Sequence, residues 1–126
     1  LAADIVVLAE QIRLSQVLMN LIANALDAVS DRPGGRVVVT VERQRSCALI
    51  RIDDNGPGIA PGNLDRIFDP FFTTKRSGDG LGLGLSIAYN ILKDFRGRLT
   101  AENRAKGGAR FEVRLPIAEA GELAAE

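Results

Sequence analysis

The 126-residue chain contains no histidine, a single cysteine and no long apolar run. Because imidazole is absent, His-ligated zinc, Ser-His-Asp and Cys-His catalysis, and a phosphohistidine on this chain are all excluded. Cys47 has no partner for an internal disulfide, which fits a reducing compartment.

Charge and hydropathy are balanced, with 16 basic and 16 acidic residues and a pI near 6.5. No basic excess points to nucleic acid or an anionic membrane surface, and no apolar run approaches the roughly 20 residues that span a bilayer. No signal-peptide pattern opens the chain. We expect residues 1–116 to form one domain and residues 117–126 a tail or linker, and the start without methionine favours a piece of a longer protein.

The order of helical and alternating patterns predicts the architecture. Apolar spacing of three and four predicts helices over 10–29 and 84–95, with a weak helical turn over 63–68. Alternating or short apolar runs predict strands over 4–8, 36–42, 47–53, 98–103 and 109–116. This order predicts an α+β fold, a two-layer sandwich whose largely antiparallel sheet is covered on one face by helices.

The first predicted helix carries an unusual polar stripe opposite its apolar face. Gln16, Asn20, Asn24 and Asp27 fall on this stripe, and no Lys, Arg or Glu occurs between positions 14 and 26. Amide oxygens are hard, neutral ligands that suit Mg²⁺, which keeps waters and substrate phosphates in its shell. Asn24 could hold a metal that neutralises a triphosphate, with Asn20 facing the same cleft.

The segment "DDNGPGI" at 53–59 follows a predicted buried strand. Gly56 and Gly58 allow a ligand to lie against the backbone, and an ionised Asp54 at the floor of the cleft would accept a hydrogen bond from the exocyclic amine of adenine. Guanine presents a carbonyl oxygen there and would be repelled. The alternative is a tight turn held by an Asx-type hydrogen bond from Asp53 or Asn55.

The segment "GDGLGLGLS" at 78–86 has glycines at every second position from 78 to 84. Their exposed N–H groups, next to the amino end of a predicted helix, could bind phosphates without a basic patch. A flexible linker is the alternative, although the evenly spaced leucines at 81, 83 and 85 argue against it.

The segment "IFDPFFTTKR" at 67–76 holds three of the five phenylalanines. A small satellite core beneath the loop is one interpretation. The following Thr73, Thr74, Lys75 and Arg76 could instead deliver hydroxyls and a cation to phosphate oxygens, or form an ordinary solvated charge pair.

In chain order, "NLIANALDA", "DDNGPGI", "IFDPFFTTK" and "GDGLGLGLSI" resemble the N, G1, F and G2 boxes of the catalytic ATP-binding domain of sensor histidine kinases. This domain belongs to the wider superfamily of gyrase, Hsp90 and MutL. The resemblance runs from about residue 10 to 116, and "GLGLGLSIAYNILKDFRG" is similar to sensor kinases of C4-dicarboxylate transport. It implies a Bergerat-type α/β sandwich with a mixed, mostly antiparallel sheet and a mobile ATP lid over 69–83.

The resemblance also implies a site that binds ATP and Mg²⁺. It gives Asn20 and Lys75 catalytic positions near the phosphates, Asn24 the metal, and Asp54 the adenine. The nucleotide-binding positions that it implies are Asn24, Asp27, Asp54, Gly56, Gly58, Ile59, Phe68, Thr73, Thr74, Gly80, Leu81, Gly82, Leu83, Gly84 and Leu85.

The implied partners are the protein's own dimerisation and phosphoacceptor domain, which would carry the histidine, and a cognate response regulator. The full-length protein would be a homodimer, and this domain would be the cytoplasmic part of an inner-membrane-anchored sensor, with no membrane or nucleic-acid contact of its own.

One departure from the wider superfamily separates kinase from hydrolase. Its hydrolysing members have a glutamate one helical turn before the metal asparagine, whereas this chain has Asn20 there, and an amide cannot act as general base. Slow hydrolysis and transfer to another acceptor are expected. The alternatives are a gyrase-like ATPase, a degenerate nucleotide-binding module and a domain like the serine-kinase anti-sigma factors. The family's usual glycine is replaced by Arg96, for which we expect little effect.

Overall fold

The computed structural model describes residues 11–72 and 84–117. In these ranges the elements are, in order, α1 (Gln11–Val29), β1 (Val37–Gln44), β2 (Cys47–Asp54), a 3₁₀ turn (Pro61–Asn63), α2 (Gly84–Asp94), β3 (Arg98–Asn103) and β4 (Ala109–Pro116). The predicted strand over 4–8, most of the predicted lid and all but the first residue of the tail lie outside the described residues. The predicted helical turn over 63–68 is instead a 3₁₀ turn over 61–63 followed by turns.

The four described strands form one antiparallel sheet in the order β1-β2-β4-β3. Two hairpins, β1–β2 and β3–β4, meet along the central pair β2–β4, where Asp53 lies opposite Arg110. The prediction of a largely antiparallel sheet is therefore confirmed for these strands. The predicted mixed character depends on residues 4–8, which lie outside the described ranges.

Helix α1 packs on the sheet through side chains that recur every four residues. Val17, Leu21, Ala25 and Val29 are buried on this face, at or below 9% exposure. The helix ends because Pro33 and the following glycines cannot continue it. A side chain at Gly35 would come within 2.7 Å of the Val29 carbonyl oxygen, so the chain can turn back sharply only with glycine there.

The core lies between the helices and one face of the sheet. On β4, Phe111, Val113 and Leu115 are buried while the residues between them are partly exposed, so one side of this strand faces the core. The other face carries charged pairs, including Arg51 with Glu112 at 3.1 Å. Neither described helix is both long and apolar enough to cross a membrane.

Phe111→Ala is expected to lower the free energy of unfolding by about 3–5 kcal/mol, because it leaves a large cavity at the centre of the core. Phe111 is only 2% exposed and contacts the Phe68 ring edge-on at 6.4 Å between centroids. Urea unfolding measures the loss. Phe71→Ala is the matched control, since Phe71 is 70% exposed, and a loss below about 1 kcal/mol for Phe111→Ala would contradict this core assignment.

Candidate functional site

Asp54, the last residue of β2, is buried at 2% exposure. Its Oδ1 accepts hydrogen bonds from the backbone N–H groups of Gly56 at 2.9 Å and Ala109 at 3.2 Å. The bond from Gly56 is an Asx-type turn, formed by Asp54 rather than by Asp53 or Asn55. The hydrogen bonds described for this carboxylate all use Oδ1, which leaves Oδ2 as the oxygen for a ligand.

The neighbouring carboxylate, Asp53, is neutralised on the opposite face of the sheet. Arg110 donates to both of its oxygens, at 2.7 and 3.1 Å, and these hydrogen bonds raise the pKa of the Arg110 guanidinium. Among the ion pairs between described residues, none involves the carboxylate of Asp54. Of the two adjacent aspartates, Asp54 is the one with a carboxylate oxygen that accepts no hydrogen bond from the described residues.

The loop after Asp54, residues 55–60 (the G1 loop), needs both of its predicted glycines. A side chain at Gly56 would lie 2.7 Å from the carbonyl oxygen of Ala28 on α1, and Gly58 has a φ of +82°. Asn55 accepts a hydrogen bond from the N–H of Arg36 at 2.7 Å and donates to the Gly34 carbonyl at 3.0 Å. The loop is therefore packed closely against the end of α1 and the turn that follows it.

The β3–β4 hairpin forms a second wall of the G1 loop, which the sequence analysis missed. Arg104 donates to the Asp54 carbonyl oxygen at 3.0 Å, and Asn103 bonds both backbone groups of Ile59 at 2.7 Å. A side chain at Gly108 would lie 1.9 Å from the Asp54 carbonyl oxygen. The adjacent glycines at 107 and 108 could have indicated a close backbone contact. The sequence alone does not show that the contact is with the end of β2.

The polar stripe of α1 connects the other predicted motifs. Asn20 donates to the carbonyl oxygen of Gly84, the first residue of α2, at 3.2 Å. Ala28, two helical turns further along α1, contacts the Gly56 backbone region. Asn24 lies midway between these two contacts on the same face, and both asparagines are half-buried. The stripe thus runs from the start of α2 to the G1 loop, while Asp27 and Gln16 are exposed.

The start of α2, at Gly84, lies beside Asn20. Gly84 is exposed, and a Cβ atom on it would make only ordinary contact with Asn20, at 3.9 Å. The first N–H groups of a helix have no partner within the helix and carry partial positive charge. Leu85 is half-buried against the core, so it anchors this helix end.

Two of the three phenylalanines of residues 67–72 pack against the main core rather than forming a satellite cluster. Phe68 stacks on Tyr89 at 5.3 Å between ring centroids, and Phe72 packs against the same core. Phe71 points outward and has a positive φ of 68°. The predicted phosphate contacts that follow lie outside the described residues: Thr73, Thr74, Lys75, Gly80, Leu81, Gly82 and Leu83.

A metal cage made by protein side chains is not present in the described ranges, where no three His, Cys, Asp or Glu residues come together. A hard cation could instead be held by one side-chain amide oxygen together with phosphate oxygens of a bound ligand. Asn24, on the half-buried stripe, is the residue that would hold it.

The chain matches the family described as histidine kinase-, DNA gyrase B- and HSP90-like ATPases over residues 9–119. It is 44% identical to the two-component sensor PprA of Pseudomonas aeruginosa over 115 residues, covering 87% of this chain and 12% of PprA. It is 42% identical to the C4-dicarboxylate transport sensor protein DctB of Rhizobium meliloti, covering 86% of this chain and 17% of DctB.

Solved structures of histidine kinases are also similar to this chain. The nucleotide-free catalytic domain of histidine kinase ThkA aligns with a TM-score of 0.76 and 37% identity, covering 87% of this chain and 70% of that chain. Full-length ShkA in complex with AMPPNP aligns with a TM-score of 0.79 and 31% identity, covering 93% of this chain and 24% of that chain. The curated relatives are thus much longer than the chain described here.

Proposed function

Since this chain belongs to the family of histidine kinase-, DNA gyrase B- and HSP90-like ATPases, we propose that it binds Mg²⁺-ATP and donates the γ-phosphoryl group to a histidine on a separate domain. Its homologues are named sensor proteins and sensor histidine kinases, so it is a catalytic ATP-binding domain of the histidine-kinase type. The observation that carries the nucleotide proposal is the buried carboxylate of Asp54, which has no ion-pair partner in the described ranges.

The adenine ring would be bound at the end of β2. Asp54 Oδ1 is occupied by two backbone donors, so Oδ2 is left to accept from the exocyclic amine of adenine. Asp54 is 2% exposed and has no cationic partner for its carboxylate among the described residues, so it gains more from such a donor than a fully solvated carboxylate would. The same oxygen would face the carbonyl oxygen of guanine unfavourably, which supports selection of adenine.

The phosphates would lie between α1 and the start of α2. Asn24 would hold Mg²⁺ together with phosphate oxygens, and the N–H groups at the start of α2 would bind phosphate oxygens directly. The metal supplies charge neutralisation on the transferring group. Lys75 and the threonines before it remain predictions for this region, as do the glycines of 80–82.

Transfer rather than hydrolysis follows from Asn20. Its amide donates to the Gly84 carbonyl oxygen and offers no general base for water. An imidazole nitrogen of the acceptor would attack the γ-phosphorus in line; the P–N bond forms as the bond to the β–γ bridging oxygen breaks, and ADP leaves with that electron pair. The imidazole proton passes to solvent. Because the chain has no histidine, the acceptor must belong to another domain.

The whole protein would be a two-component sensor kinase that works as a homodimer. Its own dimerisation and phosphoacceptor domain and a cognate response regulator would be its partners, and this domain would lie in the cytoplasm below an inner-membrane anchor. The chain is 40% and 42% identical to the DctB proteins of two organisms, which supports a role of the whole protein in C4-dicarboxylate sensing.

With γ-labelled ATP, the isolated chain is expected to acquire no acid-labile phosphate, and a separately produced helical phosphoacceptor domain of a related sensor kinase is expected to become labelled when both are mixed. The physical reason is that in-line transfer needs an imidazole held against the γ-phosphate. An acceptor domain with its histidine replaced by glutamine is the control.

Three outcomes would contradict the proposal. Label on Ser or Thr of the chain itself would favour the domain class of the serine-kinase anti-sigma factors. Rapid release of phosphate from ATP without an acceptor would favour a gyrase-like ATPase. Nucleotide binding without either reaction would favour the degenerate binding module.

A further inference from the structure

Asn103 is the last residue of β3. Its side chain makes the pair of hydrogen bonds that the backbone of a neighbouring strand would make. Its Oδ1 accepts from the N–H of Ile59 and its Nδ2 donates to the Ile59 carbonyl oxygen, both at 2.7 Å. One carboxamide therefore satisfies both main-chain groups of a residue 44 positions away in sequence. Ile59 lies in the irregular G1 loop, where no sheet partner does this.

The two bonds act on the far end of the segment that begins at Asp54. Arg104, directly after Asn103, donates to the Asp54 carbonyl oxygen at 3.0 Å. Residues 103 and 104 thus hold both ends of the segment 54–59. Between these ends the chain bends through Gly58, where a side chain would lie 2.8 Å from Asn103 Oδ1 and would displace it.

We propose that Asn103 is a positioning residue of the nucleotide site, which acts through Ile59 to keep the G1 loop in the shape that leaves Asp54 Oδ2 directed at the base. The inference rests on the proposed function, since it assigns Asn103 a part in the same adenine site. Asn103 itself is exposed and both polar groups of its carboxamide bond Ile59, so the role that we assign to it is positioning and not contact with the nucleotide. Its loss frees the Ile59 end of the loop, and the bound shape must then be selected from a broader ensemble at the expense of affinity.

Asn103→Ala is expected to weaken ADP binding roughly 5- to 20-fold. This is the lower part of the range for two lost hydrogen bonds, because the bonds between Asn103 and Ile59 are exposed to water. The preference for ADP over GDP should fall with it. Isothermal calorimetry on the whole chain measures both affinities. Thr100→Ala is the matched control: Thr100 is exposed on the same strand and its replacement lowers β propensity, yet ADP binding should change less than two-fold.

A double-mutant cycle with Asp54→Asn separates positioning from general destabilisation. If Asn103 acts by directing Asp54, its removal should cost much less ADP affinity in the Asp54→Asn background than in the wild type. Independent, multiplying losses would overturn the proposal, as would an Asn103→Ala variant that binds ADP within two-fold of wild type. Asn103→Ser, which keeps one hydrogen-bonding group, should bind with intermediate affinity and serves if the alanine variant does not fold.

The same measurements distinguish this proposal from the underlying function. A wild-type chain that binds ADP and GDP equally, or an Asp54→Asn variant with unchanged ADP affinity, would refute the adenine site itself. An intact adenine preference that Asn103→Ala leaves unchanged would refute only the positioning role.

Discussion

Asp54→Asn is expected to weaken ADP binding roughly 10- to 150-fold, equivalent to about 1.5–3 kcal/mol for a charge-assisted hydrogen bond. The structure makes this isosteric substitution informative. The asparagine oxygen can occupy the Oδ1 position and still accept from the N–H groups of Gly56 and Ala109, so the loop keeps its hydrogen bonds. The amide nitrogen then replaces Oδ2 and sets a donor against the donor amine of adenine.

The substitution should also change base selectivity. Guanine carries an acceptor oxygen where adenine carries the amine, so the new amide donor should reduce or reverse the preference for ADP over GDP. Competition calorimetry with both nucleotides measures the ratio. Asp53→Asn is the matched control, because Asp53 lies next to Asp54 but bonds Arg110 on the opposite face of the sheet. Its nucleotide affinities should stay within two-fold of wild type.

Two results would contradict the assignment of Asp54. Equal affinity of the wild type for ADP and GDP would show that no selective acceptor faces the base. Unchanged ADP affinity in Asp54→Asn, with an unchanged urea midpoint, would show that this carboxylate does not contact the ligand.

Asn24→Ala is expected to remove the Mg²⁺-dependent part of ATP binding and to lower phosphotransfer roughly 100-fold or more, since it removes the side chain that we propose as the protein's own metal ligand. The fold should persist because the side chain is only half-buried on α1 and alanine is the better helix former. No acidic cluster among the described residues could take over the cation. ATP binding with Mg²⁺ and with a chelator, measured by calorimetry, isolates the metal-dependent part.

The control for this prediction is Asn90→Ala, which removes an exposed asparagine from α2. It should leave both the Mg²⁺ dependence and phosphotransfer unchanged. An Asn24→Ala variant whose ATP affinity still rises on addition of Mg²⁺ as in the wild type would show that the metal is held elsewhere.

The sequence by itself determined the elements and the order of the motifs. Apolar spacing identified α1 and α2, alternation identified β3 and β4 with the observed bounds, and the glycines at 56 and 58 marked a turn. These features are local: helix and strand periods, helix stops and turn glycines act through neighbours in the chain, so a linear pattern contains them. The absence of histidine likewise means that the phosphoacceptor histidine of the proposed reaction cannot be one of these 126 residues.

Only the tertiary structure decided which groups are engaged and which remain available for a ligand. Asp53 and Asp54 are adjacent and chemically identical, yet pleating sends one to Arg110 and the other to the helix-covered face, with a single oxygen left over. The sequence also did not predict that the β3–β4 hairpin contributes to the site. Asn103 meets Ile59 across 44 residues, and such a contact depends on sheet order and register, which no local pattern encodes.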